Sequence, residues 1–181
     1  VILFSLFLLF PWIALIIKLT SKGPVFFRQK RSGLDNNIFV CYKFRTLFIS
    51  ENNNIKQIKK NDSRVTKFGA FLRRTSLDEI PQFFNVLKGD MSVVGPRPHM
   101  LIHTKEYSSI VKNYMLRHLV KPGITGQAQV NGYRGEVKHV EDIKKRVQLD
   151  IWYIKNWSFF LDLKLIFKTF FMIFLGDEKA Y

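Results

Sequence analysis

Residues 76–98 read SLDEIPQFFNVLKGDMSVVGPRP. Two adjacent carboxylates, Asp78 and Glu79, follow two arginines and precede an apolar segment that closes on Gly95-Pro96-Arg97-Pro98. The local pattern has a structural explanation. Asp78 suits a helix N-cap, with Glu79 at the first helical position, Pro81 at the third where its missing N–H costs nothing, and Gly89 past the end. Ile80, Phe83, Phe84 and Leu87 then recur at helical spacing and predict one buried face. The same pair is also a candidate for chemistry, and the rest of the chain has to decide between capping and catalysis.

Upstream, Thr66 is placed to cap a short helix whose apolar face is Phe68, Phe71 and Leu72 and whose last turn carries Arg73 and Arg74. Two arginines there complement the helix dipole, and they would also help keep Asp78 ionised. The segment ENNNIKQIKKN, 51–61, is polar, lacks apolar periodicity and reads as a surface loop. Before it, Val25–Gln29 and Ile38–Phe44 predict two short strands around a turn at Gly33-Leu34-Asp35-Asn36. Arg28, Lys30, Arg31, Lys43 and Arg45 make this hairpin either a solvated basic face or a phosphate cradle.

From Val1 to Ile17 every residue except Ser5 and Pro11 is apolar, and Lys18 ends the run. At 1.5 Å per residue this is roughly 25 Å of helix, short of the ~30 Å hydrocarbon thickness and interrupted by a proline. Three readings stay open: a signal-peptide core, a truncated spanning helix, and a kinked helix that enters and leaves on one face. A start at Val1 rather than Met is what a fragment or processed product would have. The basic hairpin fits a cytoplasmic flank.

Downstream, Leu101–Val120 is mostly helical in pattern, with Tyr107, Ile110, Val111, Tyr114 and Met115 on a core-facing side. Lys121–Gly132, KPGITGQAQVNG, is too rich in glycine for a regular helix and suits close backbone approach or a turn and strand. Glu136–Asn156 returns to helical spacing. Trp157–Leu175 carries Phe159, Phe160, Phe167, Phe170 and Phe171 on a broad apolar face with Asp162, Lys164 and Lys168 opposite, the pattern of a helix lying in a membrane interface, with a core helix of a soluble domain as the alternative.

Composition narrows the classes. The 181 residues fit one domain, and a formal charge of +15 calls for an anionic surface or substrate. A hydrophobic fraction of 47% with 18 phenylalanines is heavy for a nucleic-acid binder. One cysteine, Cys41, excludes an internal disulfide, and His99, His103, His118 and His139 lack zinc-site spacing. A carboxylate pair beside arginines and glycine turns suits a phosphate-bearing substrate held with a divalent cation, and an ionised Asp can attack phosphorus.

The segments GPVFFRQKRSG, YKFRTL, DSRVTKFGAFLRRTSLDEIPQFFNVLKGDMSVVGPRP and KPGITGQAQVNGYRGE, in this order, closely resemble the bacterial sugar transferases, the monotopic polyprenyl-phosphate phosphoglycosyl transferases. The resemblance runs from about Pro11 to Thr169. It implies an α+β, mostly helical, membrane-associated monotopic fold with a re-entrant N-terminal helix (1–20), a catalytic domain (21–181) containing a short β-hairpin, and an interfacial amphipathic helix (157–175).

It also implies transfer of a sugar 1-phosphate from a UDP-sugar to undecaprenyl phosphate, releasing UMP and initiating a surface polysaccharide. In that reading Asp78 is the nucleophile and forms an aspartyl phospho-sugar. Glu79 completes the dyad and helps bind Mg²⁺; Arg97 holds the nucleotide-sugar; Lys43, Arg45, Arg73 and Arg74 are phosphate contacts. The implied partners are the UDP-sugar, undecaprenyl phosphate and membrane lipids, with no nucleic acid, at the cytoplasmic face of the inner membrane. The stretch VNGYRGEV followed by DIWYIKNWSFFLDLK looks most like the branch that transfers glucose 1-phosphate in exopolysaccharide synthesis. Phe10 stands where relatives often carry Ser before the proline, which alters the polar support of a kink there. The competing class is a non-catalytic basic membrane adaptor for anionic lipids or nucleic acid, in which Asp78 would be dispensable.

Overall fold

The computed structural model describes residues 8–49, 62–135, 137 and 139–175. Its first helix, α1 (Phe10–Thr20), starts beside Pro11, whose missing N–H falls in the first turn where no intrahelical partner exists. Ile13 and Ile17 are buried, while Trp12, Leu15 and Leu19 on the other side stay exposed. The other arm of the expected re-entrant helix falls within residues 1–7 and lies outside the described residues. Among the described residues no helix is long and apolar enough to cross a membrane.

The predicted hairpin is present as β1 (Phe26–Ser32) and β2 (Ile38–Phe44), antiparallel, pairing Phe26 with Phe44 and Ser32 with Ile38. Its connection is a 3₁₀ turn, Leu34–Asn36, in which Asp35 and Asn36 both take positive φ, a conformation that Asp and Asn tolerate better than most side chains. The predicted loop 51–61 lies outside the described residues. Helix α2 (Lys67–Arg74) begins where expected, with Thr66 Oγ1 accepting from the Gly69 N–H at 2.8 Å. Ile13, Ile17, Phe44, Leu72 and Ile80 then form one core cluster, so α1, the hairpin, α2 and the Asp78 turn pack as a unit.

The dyad segment differs from its sequence expectation. Asp78 and Glu79 lie within a 3₁₀ turn, Leu77–Glu79, and the helix proper, α3 (Gln82–Leu87), starts later. Pro81 has no N–H, so the ladder is interrupted between turn and helix, and the Asp78 carboxylate caps nothing. The buried face of α3 is also polar, made by Gln82 and Asn85, while Leu87 is 74% exposed. Asn85 explains this: its Nδ2 donates to Val40 O at 2.7 Å and its Oδ1 accepts from Tyr42 N at 3.1 Å, which bolts α3 to β2. Gly89 follows the helix with φ +85, as its place in the sequence predicts.

Beyond it, β3 (Ser92–Val94) pairs in parallel with β4 (Gly123–Thr125). Gly95 and Gly123 stand back to back here, and a Cβ on Gly123 would run into the Gly95 nitrogen, so this close approach requires glycine. Helix α4 (Leu101–Ile110) is shorter than predicted: Asn113, at φ 64, leads into a further 3₁₀ run, Tyr114–Leu119, and Ile110 and Met115 are exposed. A single-turn helix α5 (Gln127–Val130) follows β4, then α6 (Val140–Lys155) and α7 (Phe159–Leu175). Tyr107, Val111, Tyr114, Ile143 and Val147 form a second core cluster, and Val94, Tyr153 and Leu165 a third. Leu165 is the buried side of α7, whereas Phe159, Phe160, Phe167 and Phe171 are all more than half exposed. Among the described residues the architecture is thus α+β, mostly helical with two small sheets.

Candidate active site

Three segments converge on Glu79. Lys43 Nζ, from β2, and Arg97 Nη2, from the loop after β3, each lie 2.6 Å from its Oε1. Arg134, from the turn after α5, approaches Oε2 at 3.8 Å, and Arg97 Nη1 reaches the same oxygen only at 3.4 Å. Burial alone would raise the Glu79 pKa, but Arg97, Lys43 and Arg134 together hold it well below the usual carboxylate range. Glu79 is therefore a fixed anion surrounded by surplus positive charge.

Asp78 is different. It is 6% exposed, accepts no hydrogen bond among the described residues, and lines a cavity of about 200 Å³. Burial pushes its pKa up, the neighbouring Glu79 charge pushes the same way, and Lys43, Arg73 and Arg134 oppose both without prevailing. The arginines expected to keep Asp78 ionised are thus outweighed by burial. Asp78 is the open member of the dyad, with its oxygens available to a ligand.

The cavity is strongly basic: Arg31, Lys43, Arg73, Arg97, Arg134 and Arg146 line it. Arg73 is held by its Nε donating to Thr46 Oγ1 at 2.8 Å, and Arg31 by Nη1 donating to Pro98 O at 3.1 Å. Burial lowers Arg31 and Arg146 to about 10, and both remain cationic at neutral pH. Such a ring suits a ligand with several phosphate charges. Of the sequence-predicted residues, Asp78, Glu79, Lys43, Arg73 and Arg97 come together. Arg45 reaches the cavity wall, but its Nη2 donates to Ser21 O at 2.8 Å and closes the C-terminal end of α1. Arg74 is exposed and does not line the cavity.

Four residues escaped sequence reasoning. Arg134 sits in the quoted segment NGYRGE, where its position beside glycines was the available signal. Arg117 and Asp150 form a sealed pair, each side chain 2% exposed, with Arg117 Nη2 at 2.7 Å from Asp150 Oδ2. The same Nη2 donates to the Arg97 carbonyl at 2.8 Å, so the pair anchors the loop that presents Arg97. His99 Nδ1 accepts from Arg117 Nη1 and Tyr114 Oη, both at 2.7 Å, which puts its ring proton on Nε2; burial keeps the ring neutral.

A divalent cation would find few protein ligands here. No group of three or more His, Cys, Asp or Glu side chains is placed to hold a metal among the described residues. Mg²⁺, however, is commonly bound by one or two carboxylates with substrate phosphates completing its shell. Asp78 and the weakly contacted Oε2 of Glu79 fit that role, because the strong contacts to Glu79 all fall on Oε1.

The profile of the bacterial sugar transferase family matches residues 1–176 of the chain. A UDP-glucose:undecaprenyl-phosphate glucose-1-phosphate transferase of Klebsiella pneumoniae is 56% identical over 170 residues, which cover 93% of this chain and 36% of that protein. The enzyme of the same name from Escherichia coli K12 is 54% identical over 170 residues, with the same two coverages. An exopolysaccharide production protein of Rhizobium leguminosarum is 44% identical over 168 residues, covering 90% of this chain and 83% of its own length. The chain spans about a third of the length of the first two relatives.

Proposed function

The chain belongs to the bacterial sugar transferase family, and from that premise we propose that it transfers glucose 1-phosphate from UDP-glucose to undecaprenyl phosphate, releasing UMP. The observation that carries the reading is the division of labour in the dyad. Glu79 is immobilised by cations, whereas the adjacent Asp78 opens into a cavity lined by further cations.

In the first half-reaction an ionised Asp78 oxygen attacks the sugar-bearing phosphorus of UDP-glucose. The P–O bond to the bridging oxygen breaks, UMP leaves with that electron pair, and a glucosyl phospho-aspartate remains. In the second, a phosphate oxygen of undecaprenyl phosphate attacks the same phosphorus and expels the Asp78 carboxylate. Splitting the exchange in this way replaces one displacement between two anions by two displacements at a preformed site. Lys43, Arg97 and Arg134 are already oriented by Glu79, so little reorganisation is needed when phosphate charge arrives. Asp78 and Glu79 would hold Mg²⁺ together with the substrate phosphates, and the ion would supply charge neutralisation there.

Membrane placement belongs to the same proposal, with 1–20 as the inserted re-entrant element and 157–175 as the interfacial helix of the catalytic domain 21–181. The exposed apolar faces of α1 and α7 support it, as does the net charge of +15, which suits the anionic cytoplasmic leaflet of the inner membrane. The test is UMP release over a panel of UDP-sugars with undecaprenyl phosphate and Mg²⁺. Release strongest with UDP-glucose supports the reading; no nucleotide product from any sugar, with anionic-lipid binding intact, would establish the adaptor instead.

A further inference from the structure

A second cavity adjoins the first and has opposite chemistry. It is a groove of about 510 Å³ walled by Ile80, Phe83, Val93, Ile124, Val130 and Ile166. Its charged end is formed by Glu79 and Arg134, with Ser76, whose Oγ accepts from Arg134 Nη2 at 2.9 Å. Thr125 and Thr169, also on the wall, satisfy each other at 2.6 Å, so they do not make that part of the groove a polar site. Arg134 lines both cavities, and the two dyad members divide between them, Asp78 facing the basic one and Glu79 the apolar one.

Resting on the proposed transfer reaction, we infer that this groove holds the hydrocarbon chain of the polyprenyl phosphate acceptor, with Arg134 receiving its phosphate at the junction. Three observations select this occupant. Charge is confined to one end, where Glu79 and Arg134 lie, as a single anionic head on a long uncharged chain requires. The mouth is continuous with the apolar face of α7: Ile166 and Phe170 line the groove and are still 38% and 56% exposed, beside exposed Phe167 and Phe171. A chain could therefore enter from the lipid side without crossing the basic cavity. The third is stereochemical. Displacement at phosphorus is in-line, so the acceptor oxygen must occupy the place that UMP leaves, and its phosphate has to share the basic cavity. Only the hydrocarbon needs a site of its own, and that site must abut the dyad. This one does.

The inference separates acceptor from donor recognition. In the full chain reconstituted with lipid, Val130→Trp and Ile124→Trp fill the groove. Each is expected to raise the KM for undecaprenyl phosphate tenfold or more while moving the KM for UDP-glucose less than twofold. An isoprenyl phosphate of one or two units, too short to reach the filled region, should not distinguish the variants from the parent. In the unaltered protein, a diazirine-bearing polyprenyl phosphate should label peptides from 124–130 and 166–173, and excess undecaprenyl phosphate should suppress the label. Labelling confined to α1, or equal labelling by a diacyl phosphatidylglycerol probe that undecaprenyl phosphate does not suppress, overturns the inference. So do groove variants with an unchanged acceptor KM in a protein that releases UMP. A protein that never releases UMP from any UDP-sugar removes the underlying reading instead.

Discussion

Glu79 and Asp150 are both buried carboxylates bonded to arginine, yet they are built for different ends. Among the described residues Asp150 has one salt-bridge partner, Arg117, with both side chains 2% exposed and the remaining guanidinium hydrogens committed to His99, Tyr114 and the Arg97 carbonyl. Glu79 has three cations from three segments, and the side chains of Lys43 and Arg97 stay about one-fifth exposed toward a cavity. A balanced and sealed pair can only hold parts together. A carboxylate outnumbered by its cations leaves positive charge pointing at whatever anion enters. The two are linked in series, since the sealed pair fixes the backbone of the loop whose arginine serves the open cluster.

The comparison breaks most severely at Asp78, the residue that the surplus cations surround. Asp78→Asn preserves shape and removes the proposed nucleophile, and turnover measured as UMP release should fall by on the order of 10³-fold or more. Arg117→Met strikes the other cluster by leaving Asp150 buried without a counter-charge. It should cost about 3–5 kcal/mol in denaturant unfolding, and adding Asp150→Leu should recover most of the loss. Recovery of fold without recovery of kcat/KM would confirm that the pair also positions Arg97.

Arg97→Lys keeps the charge but loses the fork that reaches both Glu79 oxygens, and a drop of about 10–100-fold in kcat/KM is expected, the size of one charge-assisted hydrogen bond. The pH profile gives a subtler contrast. Burial raises the Asp78 pKa, so the acid limb of kcat/KM should lie above the usual carboxylate range, with activity lost as pH falls through it. The Glu79 charge contributes to that rise, so Glu79→Gln should move the limb to lower pH. Lys43 lowers the Asp78 pKa, so Lys43→Met should move the limb upward. The smallest effect belongs to Arg74→Ala, exposed and outside the cavity, which should change turnover less than twofold.

Legibility in the sequence followed the range of the interactions. The Thr66 cap and the helix α7 rest on contacts within a few residues, the hairpin pairs strands that follow one another across a short turn, and their patterns are readable. Asp78 reads as a cap because caps and 3₁₀ turns share residue preferences, and the fold places it inside the turn Leu77–Glu79 instead. The buried side of α3 was read from its aromatics, whereas Asn85 is drawn inward by backbone groups of a strand more than forty residues earlier. Arg117 and Asp150 are 33 residues apart, and nothing near either marks it as half of a pair. Arg134 was visible in a recognisable segment, but its approach to Glu79 depends on the fold of the turn after α5. Asp78 and Glu79 as a candidate catalytic pair, and the Pro-Arg-Pro loop, come from the resemblance, since local pattern alone leaves capping and chemistry open.

The most direct test of the account is the intact mass of the protein after incubation with UDP-glucose and Mg²⁺ and without acceptor. One hexose phosphate per chain should appear together with a stoichiometric burst of UMP, should map to the peptide bearing Asp78, and should be discharged by undecaprenyl phosphate. Full turnover without any such adduct, or an adduct and burst that persist in Asp78→Asn, would contradict it.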